Sequence, residues 1–263
     1  MPFVNIIIPY KDNIDYLFLS LKSVFNQSYK KFRILIIYDD EKKNDLKKII
    51  KFISNKEIKK KFKIKIIVNK KNLGAGESRN KAIRLSESKY IAFLDSDDTW
   101  HKKKLEKQVN FMEKNRVILS HTSYNVVNEF GEKISFRKSR KKSNYKQILN
   151  SCDIGLSTVM INLKFMKSYN LKFPKIKTKE DYILWLKILK IVPHINGLNF
   201  CLTNYRKRKN SLSSNNITNL LNGFRVYRDY EKMSILESLF RLIILSMNFF
   251  KKKITNDFKF YLR

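Results

Sequence analysis

Residues 90–100 read Tyr90-Ile91-Ala92-Phe93-Leu94-Asp95-Ser96-Asp97-Asp98-Thr99-Trp100. The apolar half predicts a buried β-strand, and three carboxylates follow it within four positions. Like charges this close resist being ionised together, whereas a divalent cation such as Mg²⁺ or Mn²⁺ takes carboxylate and phosphate oxygens as ligands. One acid would hold the metal while another holds a sugar of the ligand. The alternative is an acidic turn in which Asp98 caps the next helix.

Three further apolar runs precede this stretch and predict buried strands, at residues 4–8, 32–38 and 64–68. Proline cannot donate to a sheet ladder, so we expect Pro9 to close the first strand. Helical periodicity between the runs indicates an α/β fold with a mostly parallel sheet and right-handed crossovers. In such sheets ligands bind beyond the carboxyl ends of the strands. The sequence therefore predicts a site at one edge, where Pro9, Asp39, Asn72 and Asp95 meet.

The net charge of +33 favours nucleic acid, anionic lipid or phosphate-bearing ligands, and a solvated lysine-rich coat is the competing explanation. Cys152 and Cys201 are far apart and the three histidines are scattered, so we expect a reducing compartment and no zinc site. The chain enters a strand at once and contains no apolar run of membrane-spanning length. We expect a cytoplasmic protein.

The second half of the chain carries a second acidic pair and two cationic segments. Glu180-Asp181 opens a predicted apolar helix, where carboxylates also suit the helix dipole. We predict a strand over residues 157–163, and exposed loops over residues 137–143 and after residue 205. From about residue 215 an apolar cluster followed by Lys251-Lys252-Lys253 predicts a basic amphipathic helix. Membrane binding at the inner face of the cell membrane, dimerisation and packing on the preceding domain all remain open for this tail.

Several short segments follow one another in a characteristic order: Ile6-Ile7-Ile8-Pro9-Tyr10, Ser23-Val24-Phe25-Asn26-Gln27-Ser28, Ile36-Ile37-Tyr38-Asp39-Asp40, Asn72-Leu73-Gly74, Ser78-Arg79-Asn80, residues 93–100, Glu180-Asp181 and Tyr205-Arg206. In these segments the sequence resembles the inverting family-2 glycosyltransferases of bacterial surface-polysaccharide type, which have the GT-A fold. The likeness spans residues 3–214, and it implies a catalytic domain over 1–214 with a C-terminal amphipathic basic helical extension over 215–263.

The resemblance implies a role for each matching residue. Asp39 would accept a hydrogen bond from the imide N–H of a uracil-type base, and Asp95 would contact the ribose. Asp97 would be the principal metal ligand, with Asp95 beside it. Asp181 would be the general base that takes the proton of the acceptor hydroxyl, with Glu180 as the second candidate. The remaining nucleotide-sugar contacts would be Pro9, Tyr10, Asn72, Arg79, Ser96, Arg206 and Arg208.

Three features of the site depart from the family pattern or add to it. Glu41-Lys42 stands where the family commonly has Gly-Ser, which puts base selection and turn geometry in question. Lys207, Arg208 and Lys209 occupy a loop in which some members place a histidine, so we predict a metal site without histidine. Trp100 would stack on an acceptor sugar, with packing in the core as the alternative.

The resulting interpretation is a metal-dependent inverting hexosyltransferase. It would move a sugar from a nucleotide donor, a UDP-sugar above others, to a saccharide or lipid-linked saccharide, with Mn²⁺ or Mg²⁺ as cofactor. A sugar-phosphate nucleotidyltransferase is the nearest rival, but it would carry a Gly-rich loop after the first strand. A basic nucleic-acid-binding protein would explain the charge, yet the chain lacks its motifs, so no specific nucleic acid is expected. The oligomeric state is left open.

Overall fold

The computed structural model describes residues 3–208 and 216–261, with side chains described from 217 to 251 in the second range. Its strands are β1 Val4–Tyr10, β2 Phe32–Tyr38, β3 Lys63–Val68, β4 Tyr90–Phe93, β5 Thr99–Trp100, β6 Leu119–Val127, β7 Lys133–Arg137, β8 Lys142–Ser143, β9 Met160–Asn162 and β10 Ile195–Arg206. Its helices are α1 Ile14–Phe25, α2 Leu46–Ile53, α3 Lys56–Lys61, α4 Ala75–Arg84, α5 Lys104–Asn115, α6 Tyr145–Asn150, α7 Leu163–Ser168, α8 Glu180–Leu189, α9 Asn216–Arg225 and α10 Ile235–Tyr261.

All the strands of the described residues belong to one curled sheet with the order β3-β2-β1-β4-β9-β6-β10-β5. The first four pair in parallel, as do β6 and β10. The short strand β9 runs antiparallel between β4 and β6 and so joins the two parallel parts. The predicted α/β fold with a mostly parallel sheet is confirmed. The carboxyl ends of β1, β2 and β4 come to the same edge, as the sequence predicted.

Pro9 does not close the first strand, which continues to Tyr10 and pairs with β2 along its whole length. The reason is the direction of the backbone groups. The carbonyl of Ile7 accepts from Leu94 N on the β4 side, whereas the carbonyl of Tyr10 accepts from Asp39 N on the β2 side. Position 9 therefore faces the β4 side, beyond the last paired residue of that strand, where the missing N–H of proline breaks no ladder bond.

Helices cover both faces of the sheet and create two apolar cores. One core places β1, β2 and β4 against α1 and α5, and the other places them against α4 and α8. α8 is apolar on all sides, with Tyr182, Ile183, Leu184, Trp185 and Leu186 buried. A helix of this kind belongs in the interior. Its first turn therefore has a fixed position relative to the sheet.

Three local expectations are corrected. Asp98 does not cap the next helix, which begins at Lys104 after Lys103. Residues 137–143 are not wholly an exposed loop, since Ser139 is buried and donates to Leu198 O, and Lys142–Ser143 pairs with β10. The segment 157–163 is a short 3₁₀ helix, Leu156–Thr158, followed by β9. Three-residue elements like these carry too little periodicity for a sequence pattern to resolve.

Helices α9 and α10 and the turn between them pack against the rest of the fold. Val226 and Tyr227, in a π-helical turn between α9 and α10, are buried in the α8 core. Leu242 and Leu245 of α10 pack against the same core. The boundary predicted at 214/215 stays a prediction, and residues 209–215 lie outside the described residues. In the described part, no helix is both long enough and apolar enough to cross a bilayer.

Candidate active site

Asp39, directly after β2, fixes the loop that leads into α4. Its Oδ1 accepts from Leu73 N at 2.8 Å and from Asn69 Nδ2 at 2.7 Å, and its Oδ2 accepts from Gly74 N at 2.8 Å. Gly74 has φ +82°, a conformation that favours glycine. A carboxylate has about four acceptor positions, so roughly one remains for a base N–H. The backbone N–H of Asn72 is held by Glu41 Oε1 at 2.7 Å, which gives the unexpected Glu41 a role in this turn.

Arg79 of α4 connects the acids after β4 with the start of α8. Its guanidinium contacts Asp95 Oδ1 at 2.6 Å and Glu180 Oε1 at 2.8 Å, and it lies 5.5 Å from the ring centre of Phe173. The residue is only 3% exposed. The two carboxylates raise its pKa and so keep the charge that burial alone would disfavour. The first turn of α8, 85 residues beyond Asp95, is thereby fixed beside the Asp95-Ser96-Asp97 (DxD) stretch.

Asp97 lies where the loop after β10 meets the first βα connection. Its Oδ2 lies 2.8 Å from Arg208 Nε in an ion pair, and Arg208 Nη1 also contacts Asp12 Oδ1 at 3.3 Å. Burial and the neighbouring Asp95 raise the pKa of Asp97 to about 6, although Arg208 opposes the shift. Two acids this close disfavour each other's ionised form, and a cation would favour it.

Arg206 anchors the end of β10 rather than reaching outward. Its Nε donates to Asp97 O at 3.0 Å, its Nη1 donates to the carbonyls of Asn128 and Glu129, and its backbone N–H donates to Asp98 Oδ1 at 2.8 Å. Asp98 is buried, and burial with the charges of its neighbours raises its pKa well above the usual range. The expectation that Arg206 contacts a diphosphate is therefore not matched by this geometry, because carbonyls occupy the guanidinium. For Arg208 the contact with a diphosphate stays a prediction.

Asp181 stands one residue past the Arg79 partner Glu180, in the first turn of α8. Its Oδ1 accepts from Tyr182 N at 2.7 Å. Burial and the charge of Glu180 raise the pKa of Asp181 to about 6. A base with a pKa near the working pH is both ionised and able to take a proton. Glu180 instead has its carboxylate in an ion pair, which makes it the weaker candidate for the base.

Trp100 lies in the core, which agrees with the alternative of core packing and disfavours the prediction that it stacks on an acceptor sugar. The residue is 4% exposed, and its Nε1 donates to Ser157 O at 2.7 Å. Lys104 Nζ lies 3.8 Å from the centre of its ring. Burial lowers the pKa of Lys104 well below the usual range. The ring face that a sugar would need is covered by this side chain.

The other predicted contacts have mixed positions. Tyr10 is buried and its hydroxyl donates to Asp45 Oδ2 at 2.5 Å. Only the main chain of Tyr10 and of Pro9 therefore remains to contact a nucleobase. Ser96 is half-buried between Asp95 and Asp97, and Asn72 is exposed on the turn held by Glu41. Asn69 connects Asp39 with the start of α4. Its Oδ1 accepts a hydrogen bond from Lys81 Nζ, and its Nδ2 donates to Ser78 Oγ, next to Arg79.

The acids of the DxD stretch have the chemistry that a hard divalent cation requires. Asp95 uses Oδ1 for Arg79 and Asp97 uses Oδ2 for Arg208, so each carboxylate has a second oxygen. In the ranges 3–208 and 217–251, no three His, Cys, Asp or Glu side chains are grouped as a ready metal site. Magnesium-type sites with one or two carboxylates complete their shell with water and substrate phosphate. The residues present fit such a shared site.

Sequence reasoning missed several residues that shape the site. Ser157 accepts from Asp95 N through its Oγ and from Trp100 through its carbonyl, but it lies 62 positions from Asp95 and carries no local signal. Asn69 follows β3, so the rule that strand ends meet at one edge would have found it. Asp12 and Glu41 follow β1 and β2 in the same way. A cavity of 440 Å³ bordered by Leu119 and Asn196 lies near the starts of β6 and β10, away from these acids.

The curled sheet of this order, with an Asp-Ser-Asp stretch after β4 joined through Arg79 to the first turn of α8, is the arrangement expected of the GT-A fold. Residues 5–168 match the model of "Glycosyl transferase family 2". The chain belongs to this family, and it is a glycosyltransferase. The family assignment from sequence is confirmed, and the nucleotidyltransferase and nucleic-acid-binding alternatives are set aside.

Curated relatives match over nearly the full length. The chain is 31% identical to the putative teichuronic acid biosynthesis glycosyltransferase TuaG of Bacillus subtilis, covering 96% of this chain and 98% of TuaG. It is 32% identical to WfgD of Escherichia coli, a UDP-Glc:α-D-GlcNAc-diphosphoundecaprenol β-1,3-glucosyltransferase, covering 86% of each.

Solved structures share the fold at low identity. The 1–349 fragment of S. aureus TarS in complex with UDP-GlcNAc superimposes with a TM-score of 0.68 at 18% identity, over 91% of this chain and 70% of that one. The mannosyltransferase PcManGT of Pyrobaculum calidifontis, in complex with GDP-Man and Mn²⁺, gives 0.68 at 11%, over 92% and 70%.

Proposed function

We propose that the chain transfers a hexose from a UDP-sugar to a lipid-linked saccharide in the synthesis of a surface polysaccharide. The donor and acceptor classes rest on the relatives: WfgD takes UDP-Glc and a diphosphoundecaprenol-linked sugar, and TuaG is assigned to teichuronic acid synthesis. Because a polyprenyl acceptor stays in the bilayer, we place the enzyme at the inner face of the cell membrane as a peripheral protein.

The contact between Arg79 and the two carboxylates of Asp95 and Glu180 supports this proposal most strongly. It brings the acids proposed for the donor and the acid proposed for the acceptor to one place. Asp39 would accept the imide N–H of the uracil and Asp95 would contact the ribose. Arg208 would contact the diphosphate after its guanidinium has separated from Asp97.

The proposed reaction is a single displacement. Asp181 takes the proton of the acceptor hydroxyl as its oxygen attacks the anomeric carbon, and the bond from that carbon to the nucleotide breaks on the opposite face. The anomeric centre is inverted and no covalent enzyme intermediate is needed. A Mn²⁺ or Mg²⁺ ion held by Asp97 and Asp95 would supply Lewis-acid stabilisation of the departing diphosphate.

The test is a panel of nucleotide sugars, with polyprenyl-diphosphate-linked GlcNAc as acceptor and with Mn²⁺, Mg²⁺ or chelator. We expect acceptor-dependent UDP release that needs the metal and is lost in Asp97→Ala. Metal-dependent turnover with a GDP-sugar alone would reject the uracil assignment, and undiminished turnover of Asp97→Ala would reject the metal site.

A further inference from the structure

The α9–α10 hairpin presents an apolar surface that nothing in the described chain covers. On α10 the exposed apolar side chains recur every three or four residues along one side: Leu236, Phe240, Ile243, Met247 and Phe250. On α9, Ile217, Leu220 and Leu221 are exposed as well. We call these eight residues the apolar stripe. Exposed apolar patches of this extent mark contact sites for proteins or membranes.

The opposite side of α10 is fixed to the domain, which sets the direction of the stripe. Arg241 Nη1 donates to Asn150 Oδ1 at 3.1 Å, and Asn248 Nδ2 donates to Asn150 O at 3.0 Å. Leu242 packs into the core and lies so close to Gly223 of α9 that an added Cβ there would be 2.9 Å from it. α10 therefore cannot rotate to bury the stripe against its own domain.

We infer that the apolar stripe is the surface on which the protein rests on an anionic lipid bilayer. The stripe ends at Phe250, beside the exposed Phe249, and the exposed Lys251 follows directly, with Lys252 and Lys253 next in the sequence. Apolar and aromatic side chains next to lysines are the arrangement by which a helix lies in the interface of a membrane. Each lysine near an anionic surface also adds attraction.

The net charge distinguishes a lipid surface from a second copy of the chain. A helix seam with apolar residues at spacings of four and three also suits pairing with an identical helix. Two copies that each carry +33 repel one another, whereas an anionic bilayer attracts this charge. In the described residues no helix is suited to span the bilayer, so α10 would lie along the surface.

The position of α10 links the apolar stripe to the catalytic site. The part of the inference that concerns a lipid-linked acceptor rests on the proposed function. α10 packs against α6 and against β7. α6 packs in turn against α8, whose first turn carries Asp181. β7 continues the hairpin whose carbonyls at residues 128 and 129 bind Arg206. Contact through α10 would therefore keep Asp181 close to the plane in which a lipid-linked acceptor lies.

The test measures vesicle binding of the full chain by co-sedimentation. Vesicles of phosphatidylcholine alone are compared with vesicles of equal parts phosphatidylcholine and phosphatidylglycerol, at low and at high salt. The variant is Phe240→Ser/Met247→Ser, at sites 59% and 65% exposed. The matched control is Leu85→Ser/Tyr169→Ser, which removes two exposed apolar side chains from the region of α4 and α7.

We expect the wild type and the control to bind the anionic vesicles equally and the variant to bind at least about tenfold more weakly, because the variant no longer buries two large apolar side chains in the membrane interface. Equal binding by the variant would overturn the inference. A wild-type dimer that the variant converts to a monomer, with no vesicle binding by either, would overturn it in favour of pairing between copies.

Binding does not require turnover, so the two proposals fail separately. The variant should retain turnover on a short-chain, water-soluble acceptor and lose it on the same acceptor anchored in vesicles. Vesicle binding with no glycosyl transfer from any donor would reject the proposed function alone. Transfer to vesicle-anchored acceptor that is unaffected in the variant would reject the docking surface alone.

Discussion

Replacement of Arg79 by methionine should destabilise the protein and slow the reaction together. In the described chain, Arg79 is the only residue that forms an ion pair with Glu180, whose side chain is 14% exposed. The side chain of Asp95 is 31% exposed and keeps more contact with water after the substitution. Breaking a buried ion pair by removing one partner costs about 3–5 kcal/mol. Because Asp95 is partly solvated, we expect the lower end, about 3 kcal/mol.

The effect on turnover follows from the position of the base. Lys179 precedes α8 without a side-chain cap, so the Arg79–Glu180 contact is a main restraint on the first turn that carries Asp181. A displacement of about 1 Å can cost about a hundredfold in rate, and we expect kcat to fall by this order. Arg79→Lys should keep part of the stability but not the two-armed geometry.

Urea unfolding and initial rates of UDP release measure the two effects. Arg79→Met/Glu180→Met should recover about 1–2 kcal/mol, since it removes the stranded charge as well. Lys61→Met is the matched control, because its pair with Glu57 is exposed at 3.5 Å and should contribute less than about 1 kcal/mol. An Arg79→Met protein as stable as this control, with normal kcat, would refute the reasoning.

Four other predictions concern the chemistry and the packing around the site. Asp181→Asn should lower kcat by at least about a hundredfold while unfolding at the same urea concentration, because the amide oxygen still accepts from Tyr182 N; normal turnover would assign the base elsewhere. In the wild type the pKa of Asp181 is raised to about 6 and its ionised form is the active one, so kcat/KM should fall below pH 6 and level off above it. A flat profile down to pH 5 would contradict this. Arg208→Ala should raise the KM for the donor about tenfold, since a charge-assisted hydrogen bond is worth about 1.5–3 kcal/mol, with an unchanged KM as the contrary result. Trp100→Phe should keep kcat and lose about 1 kcal/mol of stability with the Ser157 hydrogen bond, and a large kcat loss would restore an acceptor role.

The strands and their edge followed from the sequence because they depend on local patterns. The bounds of β2 were predicted to the residue, and the acids after β2 and β4 were placed at the correct edge. β1 was longer than predicted because the cost of Pro9 depends on how far β4 extends, which no local pattern contains. A strand was predicted over the region of β9, but its antiparallel position between β4 and β6 was not, because these partners lie about 70 and 40 residues away in the sequence.

The site was predictable in its acids and less so in its cations. Asp95, Asp97 and Asp181 were named from sequence, but the ion pair through Arg79 to Glu180 joins elements 101 positions apart. Arg206 was assigned to the diphosphate from the resemblance and its place after the last strand, and Trp100 to an acceptor sugar from its place just after the proposed metal site. Their actual partners are main-chain carbonyls at positions 97, 128, 129 and 157, and carbonyls leave no trace in a sequence.

Acceptor-dependent UDP release by wild type, Asp181→Asn and Glu180→Gln, each with Mn²⁺ at pH 7.5, tests the central claim most directly. We predict full turnover in the wild type, a loss of at least about a hundredfold in Asp181→Asn, and an intermediate rate in Glu180→Gln, whose side chain only positions the helix. Turnover that survives in Asp181→Asn and disappears in Glu180→Gln would contradict the assignment of the base.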